Sequence, residues 1–220
     1  MLKALWTDTN SAYLATTSGL SIIDLAEEGL YAYTTKSGGF TAVWGNDSTI
    51  YLGASSGIYY LEKACITGTV AAPLDIAFCL LEYSPSPAVK YIHGNNNLIS
   101  VITEAGISIT KLGDQGYTSS ATISGTTKCF VTPDKLYYIT SGTSWAVNRL
   151  DTLVCDWTEP TYKYITGSGI IPAGVTINDI FVTHNTSLDG KSNTLFIATS
   201  SGVIVLDEGT RYYSTFYRSK

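Results

Sequence analysis

Carboxylate, amide and imidazole side chains recur where short apolar stretches of this chain end, and they are its best candidates for chemistry. They are Asp8, Asn46, Asp47, His93, Asn95, Asp134, His184 and Asn185. Brought together on one face of a fold, such oxygens and nitrogens are suited to hold a cation or a polar ligand. Asn, Asp and His are also ordinary hairpin-turn residues, because they tolerate left-handed backbone. A binding role and a purely structural role in turns both remain open.

Catalytic arrangements find little support in the residue spacing. His93 and His184 fall at what look like equivalent places in a repeat, but neither has the His-x-Glu or His-x₃-His spacing of a zinc site. A glycosidase needs two carboxylates facing each other across its substrate, and Asp179 is the single acid that starts a predicted inner strand. We therefore predict a non-enzymatic protein without a cofactor or a metal.

The elements that would position these residues are visible as an internal repeat. An apolar strand, a Ser/Thr-Gly turn and a second apolar strand recur, for example YLATTSGLSIID at 13–24 and YLGASSGIYYLE at 51–62. The turn glycines are Gly19, Gly57, Gly106, Gly142 and Gly202. A further apolar strand precedes each hairpin and a more polar strand follows it. Five such units in 220 residues give 44 residues each, within the period of about 40 to 45 that propeller blades have.

The repeat predicts an all-β fold, one five-bladed β-propeller over 1–220 with four antiparallel strands per blade. The predicted blades are 1–36, 37–88, 89–124, 125–174 and 175–220. In this arrangement the first turn of every blade lies on one face, which would gather the polar residues named above into a ring. Trp6 and Trp44 occupy matching inner-strand positions and are predicted to wedge between neighbouring blades. The longer stretches 62–88, 153–174 and 184–193 are predicted to project as insertions, where partner specificity often resides.

The repeats resemble those of the β-propeller superfamily, whose blades follow a YVAT-x-x-G-L-x-V-I-D pattern. The resemblance covers nearly the whole chain and implies the propeller architecture. It implies no particular activity, because this fold carries many unrelated functions.

The amino-acid composition limits the kinds of partner that the chain is expected to bind. Hydrophobic residues make up 45% of the chain and charged residues 14%, with a formal net charge of −5, so nucleic acid, which needs clustered Lys and Arg, is excluded as an expected partner. No apolar run reaches the roughly 18 residues that span a bilayer, and the first residues lack the features of a signal peptide. Cys65, Cys79, Cys129 and Cys155 match no zinc or redox spacing, so reduced thiols are expected.

The function expected from these features is that of a bacteriophage virion protein from a tail, neck or fibre, assembled in the host cytoplasm and bound to other virion subunits. Low charge and abundant Tyr, Thr, Ser and Gly suit such a particle. A lectin-like propeller that binds sugars through one shallow pocket per blade is the first alternative. A cellular scaffold for protein interactions is the second.

Overall fold

The computed structural model describes residues 1–26, 29–35, 38–66, 72–73, 79–80, 88–96, 98–112, 123, 125–132, 135–141, 146–151, 162–164, 171–184, 193–207 and 213–217. The strands in these ranges are β1 (Leu2–Thr7), β2 (Ser11–Thr16), β3 (Gly19–Asp24), β4 (Gly29–Thr35), β5 (Ala42–Gly45), β6 (Thr49–Ala54), β7 (Gly57–Glu62), β8 (Ala72–Pro73), β9 (Cys79–Leu80), β10 (Tyr91–Gly94), β11 (Leu98–Ile102), β12 (Ile107–Lys111), β13 (Thr126–Val131), β14 (Lys135–Thr140), β15 (Ala146–Asp151), β16 (Tyr162–Tyr164), β17 (Ile177–His184), β18 (Asn193–Thr199), β19 (Gly202–Asp207) and β20 (Tyr213–Tyr217). A short 3₁₀ helix covers Lys63–Cys65.

The chain forms two compact units, residues 1–122 and 123–220. The first unit contains sheet 1 (β1-β2-β3-β4, with β8 beside β4), sheet 2 (β5-β6-β7-β9) and sheet 3 (β10-β11-β12). The second contains sheet 4 (β13-β14-β15-β16) and sheet 5 (β17-β18-β19-β20). Each sheet is built around three or more antiparallel strands that are consecutive in the chain, as expected of blades. The short strand β8 instead pairs in parallel with β4.

The turn glycines occupy the position that the repeat predicts. Gly19, Gly57, Gly106 and Gly202 have φ angles of 143°, 129°, 136° and 141°, a region that residues with a Cβ rarely enter. Each is the first residue after a two-residue turn. Where a threonine precedes the turn, as in Thr16 and Thr199, its hydroxyl donates to the glycine carbonyl at 3.0 and 2.8 Å. Gly142, the remaining predicted turn glycine, lies outside the described residues.

Sheet-to-sheet packing forms the core of the first unit. The alternating side chains of sheet 1 that point to sheet 2 are buried, among them Tyr13, Leu20 and Ile22, and they pack on Val43 and Leu52 of sheet 2. The opposite face of sheet 2 is buried as well, against sheet 3, through residues that include Trp44, Tyr51, Ile92 and Ile99. Sheet 2 therefore has no solvent-facing side, which explains why its strands are apolar at nearly every position.

The second unit has the same kind of core. Tyr137, Ile139 and Val147 of sheet 4 pack against one face of sheet 5, where Ile180, Val182, Leu195, Ile197, Ile204 and Leu206 are buried. One inner-strand irregularity is shared by both units. The register of β1, β13 and β17 shifts between Leu2 and Ala4, Thr126 and Lys128, and Ile177 and Asp179. These register shifts lie at the same place in the repeat in sheets 1, 4 and 5.

The two predicted tryptophan wedges are confirmed. A Cβ added to Gly45 would lie 2.7 Å from Cζ3 of Trp6, and one added to Gly94 would lie 2.9 Å from Cη2 of Trp44. Each indole therefore covers a glycine of the following sheet. The missing side chain at that glycine is what allows the two sheets to approach.

Candidate functional site

The first turn of the sheets, between inner strand and second strand, is built alike in four cases. The residue that follows the inner strand donates its backbone N–H to the carbonyl three residues later. The pairs are Asp8 to Ser11 at 3.0 Å, Asn46 to Thr49 at 3.0 Å, Asn95 to Leu98 at 2.8 Å and Thr132 to Lys135 at 2.8 Å.

The side chain of this first residue closes the same turn. Oδ1 of Asp8 accepts from the backbone N–H groups of Asn10 and Ser11, and Oδ1 of Asn46 accepts from those of Ser48 and Thr49. Oδ1 of Asn95 and Oγ1 of Thr132 accept from Leu98 and Lys135 at 2.8 and 3.0 Å. One oxygen of each side chain is thus committed to its own backbone, as the structural explanation expects. In sheet 4 the position belongs to Thr132, a residue that the sequence analysis did not select.

Asp8 carries the strongest polar interactions of these turns. Its Oδ2 accepts a hydrogen bond and salt bridge from Nζ of Lys63 at 2.6 Å and a hydrogen bond from the Tyr13 hydroxyl at 3.2 Å. Nζ of Lys63 also lies 4.8 Å from the ring centroid of Trp6 and 5.6 Å from that of Tyr13. Because Lys63 follows β7 of sheet 2, this cluster ties the edge of sheet 1 to sheet 2.

The Asp8 carboxyl and the Tyr13 phenol each keep one protonation state near neutral pH. Burial by itself would raise the pKa of Asp8, but the hydrogen bond from Lys63, aided by the backbone N–H groups of Asn10 and Ser11, leaves that pKa below its ordinary value. Burial, together with the Asp8 charge, raises the pKa of Tyr13 to about 12. The carboxylate is therefore ionised and the phenol protonated, which suits a fixed ion pair and not proton transfer. Lys63 could not be identified from the sequence, because nothing local marks its contact with a residue 55 positions away.

His93 lies on β10, opposite Ser100. Its ring is 6.3 Å from that of Trp44, and burial lowers the pKa of His93 to about 4. It occupies the register position that Trp6 and Trp44 hold in their sheets, opposite Tyr13 and Tyr51. A neutral histidine packed on an indole is typical of a core position.

The predicted equivalence of His93 and His184 is wrong. His93 pairs with Ser100, and Phe181 pairs with Phe196. Both partners lie three residues before the threonine that opens the hairpin turn. Phe181 is therefore the counterpart of His93, and His184 comes three residues later, opposite Asn193. The error arises because β17 continues past the point where the other inner strands end, so matching by distance from the strand end shifts the register.

The structure brings two of the first turns together. Nδ2 of Asn96, next to Asn95, donates to Oδ2 of Asp47 at 3.3 Å, which links the turns of sheets 2 and 3. Asp134 and Asn185 lie outside the described residues, and only the backbone of His184 is described. Most of the predicted insertions 62–88, 153–174 and 184–193 also fall outside. Within the described ranges, no group of three or more His, Cys, Asp or Glu side chains is placed to hold a metal ion.

Two further features of the sequence, a Gly-x-Ser-x-Gly match and the cysteines, have structural explanations. The stretch Gly53–Gly57 reads Gly-Ala-Ser-Ser-Gly and so fits the Gly-x-Ser-x-Gly pattern of hydrolases, but it forms the hairpin between β6 and β7, so that a strand and not an α-helix follows the serine. Cys65 is an exposed free thiol, whereas Cys129 is a buried one, and burial raises the pKa of Cys129. Cys79 has no described side chain, and Cys155 lies outside the described residues. None of the helical structure that is described could cross a membrane.

Comparisons with known proteins address the fold. No family model matches the chain, and no curated protein matches it. The chain is similar in structure to the computationally designed Ika8 protein, with a TM-score of 0.60 and 12% identity over 96% of this chain and 59% of that one. It is similar to the extracellular domain of the putative one component system BT4673 from B. thetaiotaomicron, with a TM-score of 0.66 and 12% identity over 98% of this chain and 28% of that one.

The N-terminal domain of Nup159 is a third similar structure, with a TM-score of 0.56 and 10% identity over 95% of this chain and 60% of that one. The chain therefore spans less than two thirds of each of these three structures. At such low identity the likeness concerns the fold alone. Together with five antiparallel sheets that follow one another along the sequence, it indicates a β-propeller-like fold.

Proposed function

We propose that this chain is a non-enzymatic structural and interaction protein, and that its setting is a bacteriophage virion, in a tail, neck or fibre. The observation that carries the proposal is the contrast between the polar and the apolar candidates for function. The side-chain oxygens of the polar first turns accept hydrogen bonds from their own backbone, from Lys63 in the case of Asp8, and from the next turn in the case of Asp47. Large apolar side chains, in contrast, stand in solvent on sheets 1 and 5, with Leu5 58% exposed and Phe181 55% exposed. Exposed apolar surface of this kind marks protein contacts.

The virion setting rests on composition. A low fraction of charged residues, 14%, and a surface that offers contacts suit a subunit that is held among others. The finer architecture proposed with it is a propeller whose blades have four strands each, although sheet 3 has three strands in the part of the chain that the structure describes.

The experiment is localisation in the native particle. Antibodies raised against the purified chain are applied to density-banded particles from the producing culture, by immunoblot and by immunogold electron microscopy. The proposal predicts a fixed copy number per particle and gold at one morphological location. Recovery of the chain in the soluble lysate, with none in banded particles, would contradict it and would favour the cellular scaffold. Pull-down from that lysate then tests the scaffold directly.

Sugar binding is the second candidate, favoured by one exposed pair of aromatic rings on sheet 5. Phe181 lies opposite Phe196, at the repeat position where Trp44 and Tyr51 of sheet 2 are buried. The Phe181 and Phe196 rings are exposed and their centroids are 6.3 Å apart. A glycan array probed with the chain tests this candidate, with Phe181→Ala as the matched variant. Binding that is unchanged in that variant would exclude this surface as the sugar site.

A further inference from the structure

The outer edge of sheet 1 holds a strand that comes from another sheet. β8 (Ala72–Pro73) lies in the connector between β7 and β9 of sheet 2, yet it pairs with β4, the outer strand of sheet 1. The pairing places Ala72 opposite Ala32 and Pro73 opposite Tyr33, and it is the single parallel pairing among the strands that the structure describes. The connector therefore leaves its own sheet, adds a strand to sheet 1 and returns to form β9 beside β7.

The strand β4 is well suited to accept such an addition. Its seven residues, Gly-Leu-Tyr-Ala-Tyr-Thr-Thr at 29–35, include no charge and no proline, and aromatic and β-branched residues favour extended backbone. The outer strands β9, β16 and β20 of the four-stranded sheets have two, three and five residues. Proteins shorten, charge or cover an outer strand, because its backbone groups pair readily with another extended chain. Since β4 is long and uncharged, its cover is β8.

This cover is weak. The parallel pairing that the structure describes reaches two of the seven residues of β4. Proline has no backbone N–H to donate, so Pro73 contributes less to the ladder than another residue would. Parallel pairs are also slightly less stable per residue than antiparallel ones. A longer extended segment without proline would form more hydrogen bonds with the same edge.

A second attachment keeps the connector close to sheet 1 whether or not β8 is paired. Lys63, at the start of the connector, donates its backbone N–H to the carbonyl of Ser48 in sheet 2 at 2.8 Å and its ammonium to Asp8 of sheet 1 at 2.6 Å. Such tethering raises the effective concentration of β8 at the edge. Proximity therefore favours a strand that is too short to bind by itself, and displacement of β8 leaves the Lys63 contacts intact.

We propose that the β4 edge is a strand-acceptor site, with β8 as its resident and displaceable occupant. The ligand is an extended segment of another protein, which replaces β8 and enlarges sheet 1 by a longer strand. Main-chain hydrogen bonds provide the affinity in this kind of recognition. The segment is uncharged, because β4 offers no charged side chain for an opposite pair. The inference rests on the proposed role as an interaction protein and names the surface and the kind of segment that binds there.

The test locks and releases β8 within one protein. Ala32 and Ala72 are paired residues, so Ala32→Cys together with Ala72→Cys allows a disulfide between the two strands. A Cys65→Ser background removes an exposed thiol, and mass spectrometry verifies the link. The probe is a fluorescent peptide with the sequence of residues 69–74 and the substitution Pro73→Val, which restores the missing N–H. Binding is measured by fluorescence anisotropy.

Release of β8 is expected to permit binding. The reduced double-cysteine chain should bind the peptide, and oxidation should weaken binding by about tenfold or more, because the locked strand fills the edge. The matched control is the Cys65→Ser chain, in which binding should not depend on the oxidant. Ala72→Pro removes the N–H of the other β8 residue, so this variant should bind the peptide more tightly than wild type. Hydrogen exchange read by mass spectrometry should slow at 29–35 when the peptide is bound.

Three results would overturn the proposal. They are no binding to the reduced chain or to Ala72→Pro, binding that oxidation leaves unchanged, and equal binding of a fully N-methylated peptide, which keeps its side chains but has no N–H to donate. Far-ultraviolet circular dichroism checks that each variant is folded. Particle labelling decides the virion setting separately. Absence from banded particles would contradict that setting and leave peptide binding unaffected, whereas a particle component that fails to bind the peptide would refute the strand-acceptor site alone.

Discussion

Removal of the Lys63 ammonium tests whether the Asp8 cluster holds sheets 1 and 2 together. The substitution Lys63→Met keeps most of the apolar stem over Trp6 and deletes the charge that lies 2.6 Å from Oδ2 of Asp8. The two side chains are 19% and 26% exposed, so solvent screens this pair less than a surface pair. A hydrogen bond to a charged group contributes about 1.5 to 3 kcal/mol, and we expect the free energy of unfolding to fall by ~2 kcal/mol.

Asp8→Asn is a suitable second substitution for a double-mutant cycle with Lys63→Met. Asp8→Asn removes the charge but keeps Oδ1, and Asn46 and Asn95 already close the same turn with an amide oxygen. The turn is therefore expected to persist in this variant, so that the cycle isolates the interaction with Lys63. Urea unfolding of the four proteins is followed by far-ultraviolet circular dichroism and by the total tryptophan fluorescence, to which Trp6 beneath the ammonium contributes. We expect a coupling free energy of at least ~1 kcal/mol, in the range of charge-assisted hydrogen bonds.

The matched control is the salt bridge between Lys90 and Glu104, where the atoms are 3.3 Å apart and the side chains 55% and 68% exposed. Glu104→Gln is expected to change stability by less than about 0.5 kcal/mol, because exposed pairs are screened. The coupling also depends on pH. The pKa of Asp8 is lowered in the folded chain, so its contribution is present above the pKa of the unfolded carboxyl and is lost as the pH falls through the folded value. A coupling indistinguishable from that of the control pair would refute the assignment.

Other perturbations follow from single residues. Burial lowers the pKa of His93 to about 4, so between pH 6.5 and 4 the unfolded chain binds a proton at His93 that the folded chain does not. The free energy of unfolding should therefore fall by about 3 kcal/mol as the pH is lowered across that range. Urea unfolding at several pH values should show this decrease in the wild type and not in His93→Phe. Gly94→Ala places a Cβ 2.4 Å from the Leu98 carbonyl oxygen and 2.9 Å from Cη2 of Trp44 and should cost about 1 to 3 kcal/mol by overpacking; an unchanged urea midpoint would argue against the close fit of Trp44 on this glycine. Maleimide labelling read by peptide mass spectrometry should modify Cys65 in the native protein and Cys129 after unfolding, because the former is exposed and the latter buried; rapid native labelling of Cys129 would show that sheet 4 opens.

Local patterns sufficed to predict the hairpins and their glycines. The Ser/Thr-Gly spacing marks a backbone position with positive φ, and Gly19, Gly57, Gly106 and Gly202 have it. Trp6 and Trp44 could be recognised as wedges because they recur at one repeat position, and the glycine that receives each of them lies in the next inner strand.

Register and long-range contacts could not be predicted in the same way. His184 looked like a counterpart of His93 because a strand end is a poor reference when one inner strand runs longer than the others. The distance from the hairpin turn, which the sequence does contain, is the better reference. Thr132 was overlooked because a hydroxyl can replace an amide as the turn acceptor. Lys63 was overlooked because packing of two sheets, and no spacing in the sequence, brings it to Asp8.

The tolerance of the first turn for Asp, Asn or Thr has an evolutionary consequence. The turn requires a single acceptor atom, and Asp8, Asn46, Asn95 and Thr132 all supply one. Exchange among these residues can therefore install or erase a negative charge while the turn itself stays closed. Selection is then free to adjust the electrostatic character of that edge sheet by sheet, while the hairpins beneath it stay unaltered.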